Sequence, residues 1–279
     1  MSEPFGTRLR QAMDKRGPLC VGIDPHAALL AKWGLPDNPV GLAAFADTVI
    51  DAIGDLVPVV KPQSAFFERH GSAGIAVLER LIGLASQAGA LVLLDVKRGD
   101  IGSTAAGYAD AYLRDGSSLA ADAITVSPFL GVGSLDPVFD TALEYGRGVF
   151  VLALTSNPEA PSVQHARTPD GRTVAQAVLD DLAVRNAGAT PLGSIGAVVG
   201  ATIGQTGHDL TRLNGPFLAP GIGAQGGTPE GLRAVFGDAL SAVLPAVSRE
   251  VLAAGPSPEA LRKATEEHLQ RCVAAVTRG

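Results

Sequence analysis

The densest chemistry in the chain is the run Asp95-Val96-Lys97-Arg98-Gly99-Asp100, which closes an otherwise apolar stretch. Asp95 and Lys97 stand two apart, so on an extended strand both side chains leave the same face. Lys61 ends the apolar run VPVV in the same way, and Asp24 ends LCVGI. Ammonium and carboxylate groups set side by side can stabilise a charge that develops in a reaction, or hold and transfer a proton. A single pair of this kind would read as a structural ion pair, because ion pairs alone are weak indicators of function. Four or five charged groups at equivalent strand ends converge on one mouth, and that pattern favours catalysis.

A second cluster, Pro220-Gly221-Ile222-Gly223-Ala224-Gln225-Gly226-Gly227, leads into Thr228. A glycine-rich loop that opens a helix can turn backbone N–H groups toward an anion, with the helix dipole behind them. Gly221, Gly223 and Gly226 formally match a dinucleotide fingerprint, but no acidic residue ends the following strand. A phosphate grip late in the chain is the better reading, with Arg249 supplying charge. On spacing alone a simple tight turn stays open. Ser156-Asn157-Pro158 could touch a polar ligand edge. The five histidines show no metal-ligand spacing, and Trp33 and the Tyr108/Tyr112 pair read as packing.

Elements must exist to place these groups. Short, near-continuous apolar runs recur at Leu19–Asp24, Val57–Gln63, Leu91–Lys97, Ala123–Pro128, Val149–Thr155, Ile195–Ala201, Phe217–Gly223 and Leu240–Ser248. Such runs suit strands covered on both faces. Between them fall amphipathic segments at helical spacing: Gly41–Asp55, Ile75–Gln87, Ser103–Asp115, Leu135–Tyr145, Thr173–Ala187, His208–Leu213, Thr228–Phe236 and Ser257–Val276. Thr228-Pro229-Glu230 and Ser257-Pro258-Glu259 each read as an N-cap followed by proline at the first helical position. Eight strands alternating with eight helices predict an α/β fold, a single-domain (β/α)8 TIM barrel over residues 1–279 with an extra N-terminal helix near Phe5–Lys15. The longest irregular piece, Asn157–Arg172, follows the fifth strand, on the face where barrels place their sites.

Composition removes other classes. With 46% hydrophobic and 18% charged residues the chain is not intrinsically disordered. Its 34 glycines and 19 prolines show no Gly-X-Y period, which excludes collagen and fits many tight turns. A net charge of −6 without a basic stripe argues against nucleic-acid binding. Residues 186–208 carry no formal charge, but six glycines and Pro191 make them a strand with its loops, so no membrane span is expected. The N-terminus lacks the apolar core of a signal peptide, and Cys20 and Cys272 form no CxxC, so a cytoplasmic protein without disulfides is expected.

The string LLDVKRGDIGST (Leu93–Thr104) resembles the Asp-x-Lys-x-x-Asp-Ile-x-x-Thr signature of the orotidine 5′-phosphate decarboxylases. VVKPQSAFFE (Val59–Glu68) and APGIGAQGG (Ala219–Gly227) resemble two further marks of that family, in its longer bacterial (type 2) subgroup. The likeness runs from Asp24 to Arg249. It implies decarboxylation of orotidine 5′-phosphate to UMP, the last step of de novo pyrimidine synthesis, with neither metal nor cofactor. It also implies an alternating array of Lys61, Asp95, Lys97 and Asp100, in which Lys97 protonates C6 of the ring. Asp24 would hold a ribose hydroxyl with Lys61, and Ser156 the amide edge of the pyrimidine. Gln225, the backbone around Gly223 and Gly226, and Arg249 would take the phosphate. In the family the positions of Asp100 and Thr104 reach across a subunit interface, so a homodimer with a shared site is implied. Ser248 stands where many relatives have glycine, and the Asn157–Arg172 loop is longer than in compact members. Two rivals share the pattern. One is a magnesium-dependent sugar-phosphate lyase or aldolase on this fold, and the other a barrel that binds a nucleotide without catalysis.

Overall fold

The eight apolar runs pair side by side, all in parallel, and close into a barrel. In the computed structural model, which describes residues 3–205 and 207–277, the strands are β1 (Cys20–Ile23), β2 (Val59–Pro62), β3 (Leu91–Arg98) and β4 (Ala123–Val126), followed by β5 (Gly148–Leu154), β6 (Ile195–Val199), β7 (Phe217–Ala219) and β8 (Val243–Val247). Pairing of Cys20 with Ala246 and Val21 with Val247 joins β8 back to β1.

Alternation along each strand divides the apolar residues between two layers. Val59, Leu93, Ala123, Phe150, Val198, Leu218 and Leu244 form one cluster with Cys20 and Ala246, and this fills the barrel. Val21, Val60, Val92, Leu94, Ile124, Val149, Val151 and Ile195 belong to the other, beneath the surrounding helices. The predicted N-terminal helix is Phe5–Arg16. It brings Phe5, Leu9 and Met13 into the inner cluster and closes the bottom of the barrel. The Phe5 ring meets Phe150 edge-on at 6.0 Å, an arrangement the aromatic quadrupoles favour. Gly148 lies directly against that ring and leaves no space for a Cβ.

The outer helices largely follow the predicted segments. Helix Pro39–Ile53 is capped by Asn38, whose Oδ1 accepts from the N–H groups of Val40 and Gly41, and Thr173 caps helix Val174–Arg185. Helices Gly71–Gln87, Gly102–Leu113, Asp136–Glu144 and Pro258–Thr277 complete the larger members. Thr228 accepts from the Gly231 N–H, as its capping role requires.

Two segments depart from expectation. His208–Leu213 was predicted as a helix, but only Thr211–Leu213 forms a 3-10 turn. Asp209 Oδ1 accepts from both the N–H and the hydroxyl of Thr211, a local turn that competes with helix. Asn214 then ends the turn in the left-handed region. After β7 the helix is brief, Leu232–Phe236, and the start of the predicted eighth strand is a 3-10 segment, Gly237–Ala242. Additional short helices, Ala27–Lys32, Ala65–Glu68, Pro161–Gln164 and Arg249–Leu252, follow strands β1, β2, β5 and β8. They thicken the face at the strands' C-terminal ends, and the Asn157–Arg172 loop contains one of them.

Candidate active site

Above the apolar inner layer, the next inward residues are polar. Lys61 on β2, Asp95 on β3 and Thr125 on β4 are all buried, and Asp24 lies just beyond the end of β1. Lys61 Nζ donates to Asp95 Oδ2 at 3.2 Å and stands 4.0 Å from Asp24 Oδ1. Thr125 Oγ1 donates to Asp95 Oδ1 at 2.7 Å, and Lys97 Nζ donates to the same oxygen at 2.6 Å.

Lys97 reaches Asp95 by a different route from simple strand alternation. The pairing of β3 with β4 slips between Leu94↔Ile124 and Arg98↔Val126, and Lys97 adopts φ +46° within this bulge. A non-glycine residue in the left-handed region costs on the order of 1–3 kcal/mol, so surrounding contacts must hold it there. One of them is the Lys97 N–H, which donates to Thr125 Oγ1 at 3.0 Å. Thr125 therefore braces both the Lys97 backbone and the Asp95 carboxylate. The sequence reading did not single it out, although a threonine inside the apolar run AITVSP was the available signal.

Electrostatics fix the charge states of the buried pair. Burial disfavours the Asp95 carboxylate, but Lys61 and Lys97, with the hydrogen bonds from Lys97 and Thr125, outweigh it and hold the carboxyl well below its usual range. Burial likewise disfavours the Lys61 ammonium, yet Asp95 and Asp24 hold it above the ordinary lysine range. Cys20, in the layer below, is fully buried, and burial pushes its thiol up to about 12.

These groups line a cavity of about 340 Å³ at the C-terminal mouth, a size suited to a small polar ligand. Its floor is apolar, formed by Leu152, Val198, Leu218 and Ala246. The opposite wall holds Ser156, Gly221, Ile222, Ala224, Gln225, Ser248 and Arg249, so the glycine turn and Arg249 do face the charged cluster across one cavity. Ser156 Oγ approaches Gln225 Oε1 at 3.4 Å. The turn is self-braced: Gly223 N–H donates to Gly227 C=O, Gly226 N–H to Gly223 C=O and Gly227 N–H to Gly221 C=O. Gly221, Gly223 and Gly226 all have positive φ, between 82° and 103°. The N–H groups of Gly223 and Gly226 are thus committed within the turn, while those of Ala224 and Gln225 enter no hydrogen bond among the described residues. Gln63 and Glu250 also line the cavity and were not foreseen. The Glu250 carboxylate packs against Gly223, and its Oε2 is buried without a hydrogen-bond partner among the described residues.

Asp100 and Thr104 are not brought into this cavity. Asp100 accepts from the Ile101 N–H at 2.8 Å, and Thr104 is exposed on helix Gly102–Leu113. Ile101, next to Asp100, and Phe129 and Leu130, after β4, are 60%, 78% and 54% exposed, large apolar side chains turned to solvent.

Fold and site together define a (β/α)8-barrel protein with a lysine–carboxylate cluster facing a glycine-rich turn across the mouth of the barrel. Known proteins carry the assignment further. The family model for "Orotidine 5′-phosphate decarboxylase / HUMPS family" matches residues 17–264. Orotidine 5′-phosphate decarboxylase of Salinispora arenicola is 66% identical over 275 residues, covering 99% of each chain. The enzyme of that name from Streptomyces coelicolor is 59% identical, again over 99% of each. A crystal structure from Streptomyces avermitilis that carries the name provisionally superposes with a TM-score of 0.96 at 60% identity, covering 99% of this chain and 96% of that one. The chain belongs to the orotidine 5′-phosphate decarboxylase family.

Proposed function

We propose that this protein converts orotidine 5′-phosphate to UMP and CO2, the closing step of pyrimidine nucleotide synthesis, as one catalytic domain over residues 1–279. The observation that carries the reading is the Lys61–Asp95–Lys97 cluster, set at a cavity mouth opposite the glycine turn and Arg249. Loss of CO2 breaks the bond from C6 to the carboxylate carbon and leaves the electron pair on C6. No adjacent carbonyl absorbs that pair, so stabilisation falls to fixed charges aimed at it. Lys97 is the group to supply this, first as a nearby ammonium and then as the acid that delivers its proton to C6. It then regains a proton from solvent. Asp95, fixed by Lys61 and Thr125, holds that ammonium in place.

Binding draws on both walls. Asp24 with Lys61 takes a ribose hydroxyl, and Ser156 the amide edge of the ring. Gln225 and Arg249 take the phosphate, with the turn shaped by Gly223 and Gly226 offering the N–H groups of Ala224 and Gln225. Phosphate contacts remote from C6 would supply binding energy to the reaction. Asp100 and Thr104 complete the site of a second copy across a homodimer interface. The exposure of the large apolar side chain of Ile101, between them in the sequence, supports that reading. No helix among the described residues is long and apolar enough to cross a membrane, and we place the enzyme in the cytoplasm. The reaction as proposed needs no metal or cofactor and no nucleic-acid partner.

Incubation with orotidine 5′-phosphate in EDTA, following loss of the orotate chromophore, tests the activity. Turnover is expected; its absence in pure, folded protein overturns the proposal. A magnesium-dependent sugar-phosphate lyase would instead be silenced by the chelator. Lys97→Ala is expected to bind UMP while losing turnover. A non-catalytic nucleotide binder would show no turnover to lose.

A further inference from the structure

Arg98 and Glu68 belong to the two most distinctive charged strings of the sequence, yet neither lines the cavity. They meet behind it. Arg98 Nη2 donates to Glu68 Oε1 at 2.6 Å and to the Tyr112 hydroxyl at 3.2 Å, while its Nη1 donates to the Val96 carbonyl at 3.3 Å. Glu68 Oε1 also accepts from Ser64 Oγ at 2.6 Å, and the Ser64 N–H donates to the Asp95 carbonyl at 3.2 Å. The contacts form a closed circuit that leaves β3 at Asp95 and returns to it at Val96, directly before Lys97. On its outer side the guanidinium lies over the rings of Tyr108 and Tyr112, with centroids at 5.6 and 5.8 Å, which ties the circuit to helix Gly102–Leu113.

This circuit brackets the bulge that carries Lys97 in its left-handed conformation. Thr125 braces the bulge from inside the barrel, and the guanidinium braces it from outside. A planar, forked donor can serve the Val96 carbonyl, Glu68 and Tyr112 together, and a lysine ammonium cannot reproduce that geometry. We propose that Arg98 and Glu68 are positioning residues for the decarboxylation, their ion pair holding the Lys97 backbone so that the Lys97 ammonium stays aimed into the cavity. The proposal rests on the role assigned to Lys97 above. Misplacement of a reacting group by about 1 Å can cost 100-fold in rate, so the circuit acts on turnover and leaves ligand binding on the opposite wall alone.

The test compares Arg98→Met, Glu68→Ala and Glu68→Gln with the parent enzyme and with Lys97→Ala. Turnover of orotidine 5′-phosphate and the Kd for UMP are measured on each folded protein. Arg98→Met and Glu68→Ala should lower kcat at least tenfold and leave the Kd for UMP within twofold. Glu68→Gln keeps a side-chain oxygen that can accept from Arg98 and Ser64, and should recover most of kcat. If Arg98→Met does not fold, the Glu68→Ala and Glu68→Gln pair decides. The proposal is overturned if kcat stays within twofold of the parent in the folded variants, or if UMP affinity falls in step with kcat, as a merely structural strap would produce. Full turnover by Lys97→Ala would instead refute the reading of the site itself.

Discussion

Replacing Asp95 with asparagine removes one negative charge and almost no volume, which isolates the electrostatics of the cluster. The carboxylate is buried, 3.2 Å from Lys61 Nζ and 2.6 Å from Lys97 Nζ. At an effective dielectric of about 20, the first contact alone is an attraction of about 5 kcal/mol. The Lys97 contact counts for much less, because that side chain is 47% exposed and water screens it. Asp24, at 4.0 Å, offsets part of the loss for Lys61. Breaking a buried pair by removing one partner costs about 3–5 kcal/mol, and the residual compensation puts Asp95→Asn near the lower end, about 3 kcal/mol. For a chain of this size that lowers the melting temperature by roughly 6–12 °C.

Thermal unfolding at pH 7 measures the loss, and a second substitution tests its cause. If the cost arises from an uncompensated buried ammonium, Lys61→Met added to Asp95→Asn should restore part of the stability, because an apolar side chain then occupies the site. The reasoning is refuted if Asp95→Asn melts within about 2 °C of the parent, a cost of less than about 1 kcal/mol, or if Lys61→Met lowers the melting temperature further. Turnover should be lost in both variants, whatever their stability.

The difference in melting temperature between the parent and the double variant Asp95→Asn, Lys61→Met, in which both buried charges are gone, should be flat between about pH 5 and pH 9. A depressed carboxyl contributes stability that is complete above its unfolded value near 3.9 and is lost as pH falls through its folded value, so the gap closes only in acid. The raised Lys61 contributes fully below about 10.4 and is lost only as pH rises through its folded value; a gap that changed near neutrality would contradict both assignments. Burial pushes both Cys20 and Cys272 up to about 12, so neither thiol should react with a disulfide reagent at pH 8 until denaturant is added. Native reactivity of either would show that its surroundings open. Gly223→Ala places a Cβ at φ +82° and against the Glu250 carboxylate. The turn relieves this left-handed strain of about 1–2 kcal/mol by shifting in the free protein, and binding must restore it, which should appear as roughly tenfold weaker UMP binding with kcat little changed; unchanged affinity by calorimetry would remove the turn from the phosphate site.

Much of this architecture was legible in the sequence because barrel strands are buried on both faces and so announce themselves as apolar runs. Lys61, Asp95 and Asp24 were legible for the same reason: a charge at the end of such a run has nowhere to go but the mouth. Lys97 was placed correctly beside Asp95 but by the wrong geometry, because a bulge with positive φ leaves no pattern in hydrophobic periodicity. Gln63 and Glu250 meet the cavity through contacts between distant segments that nothing local marks, whereas Thr125 carries one local sign, a polar residue inside an apolar run. Apolar spacing over His208–Leu213 predicts a helix where only a short turn forms, because the Asp209 carboxylate accepts from the Thr211 N–H and hydroxyl instead. Tyr108 and Tyr112 pack into the outer core as their spacing predicts, and their rings in addition support Arg98.

The site divides along the order of the strands. Asp24, Lys61, Asp95, Lys97 and Thr125 come from the first four strands and the loop after β1, and they supply the charges that one copy is assigned to bring to the reacting carbon and the ribose. Ser156, the Gly221–Gly227 turn and Arg249 follow β5, β7 and β8, and they supply what is assigned to the phosphate and the ring edge. The apolar floor of Leu152, Val198, Leu218 and Ala246 lies between the two groups. Because no side-chain hydrogen bond or ion pair among the described residues joins the two groups, substitutions in them should be largely separable in energy. Changes at Asp95, Lys97 and Thr125 should fall on kcat, where interactions formed only in the transition state are lost, whereas changes at Asp24 and Lys61, which also hold the ribose, should raise KM as well. Changes in the second should fall mainly on KM when the phosphate contact is equal in ground and transition states. If phosphate binding energy is instead drawn on to close the site over the ring, Arg249→Ala should lower kcat as well, and the kinetics of that one variant distinguish a passive anchor from a contact that drives the chemistry.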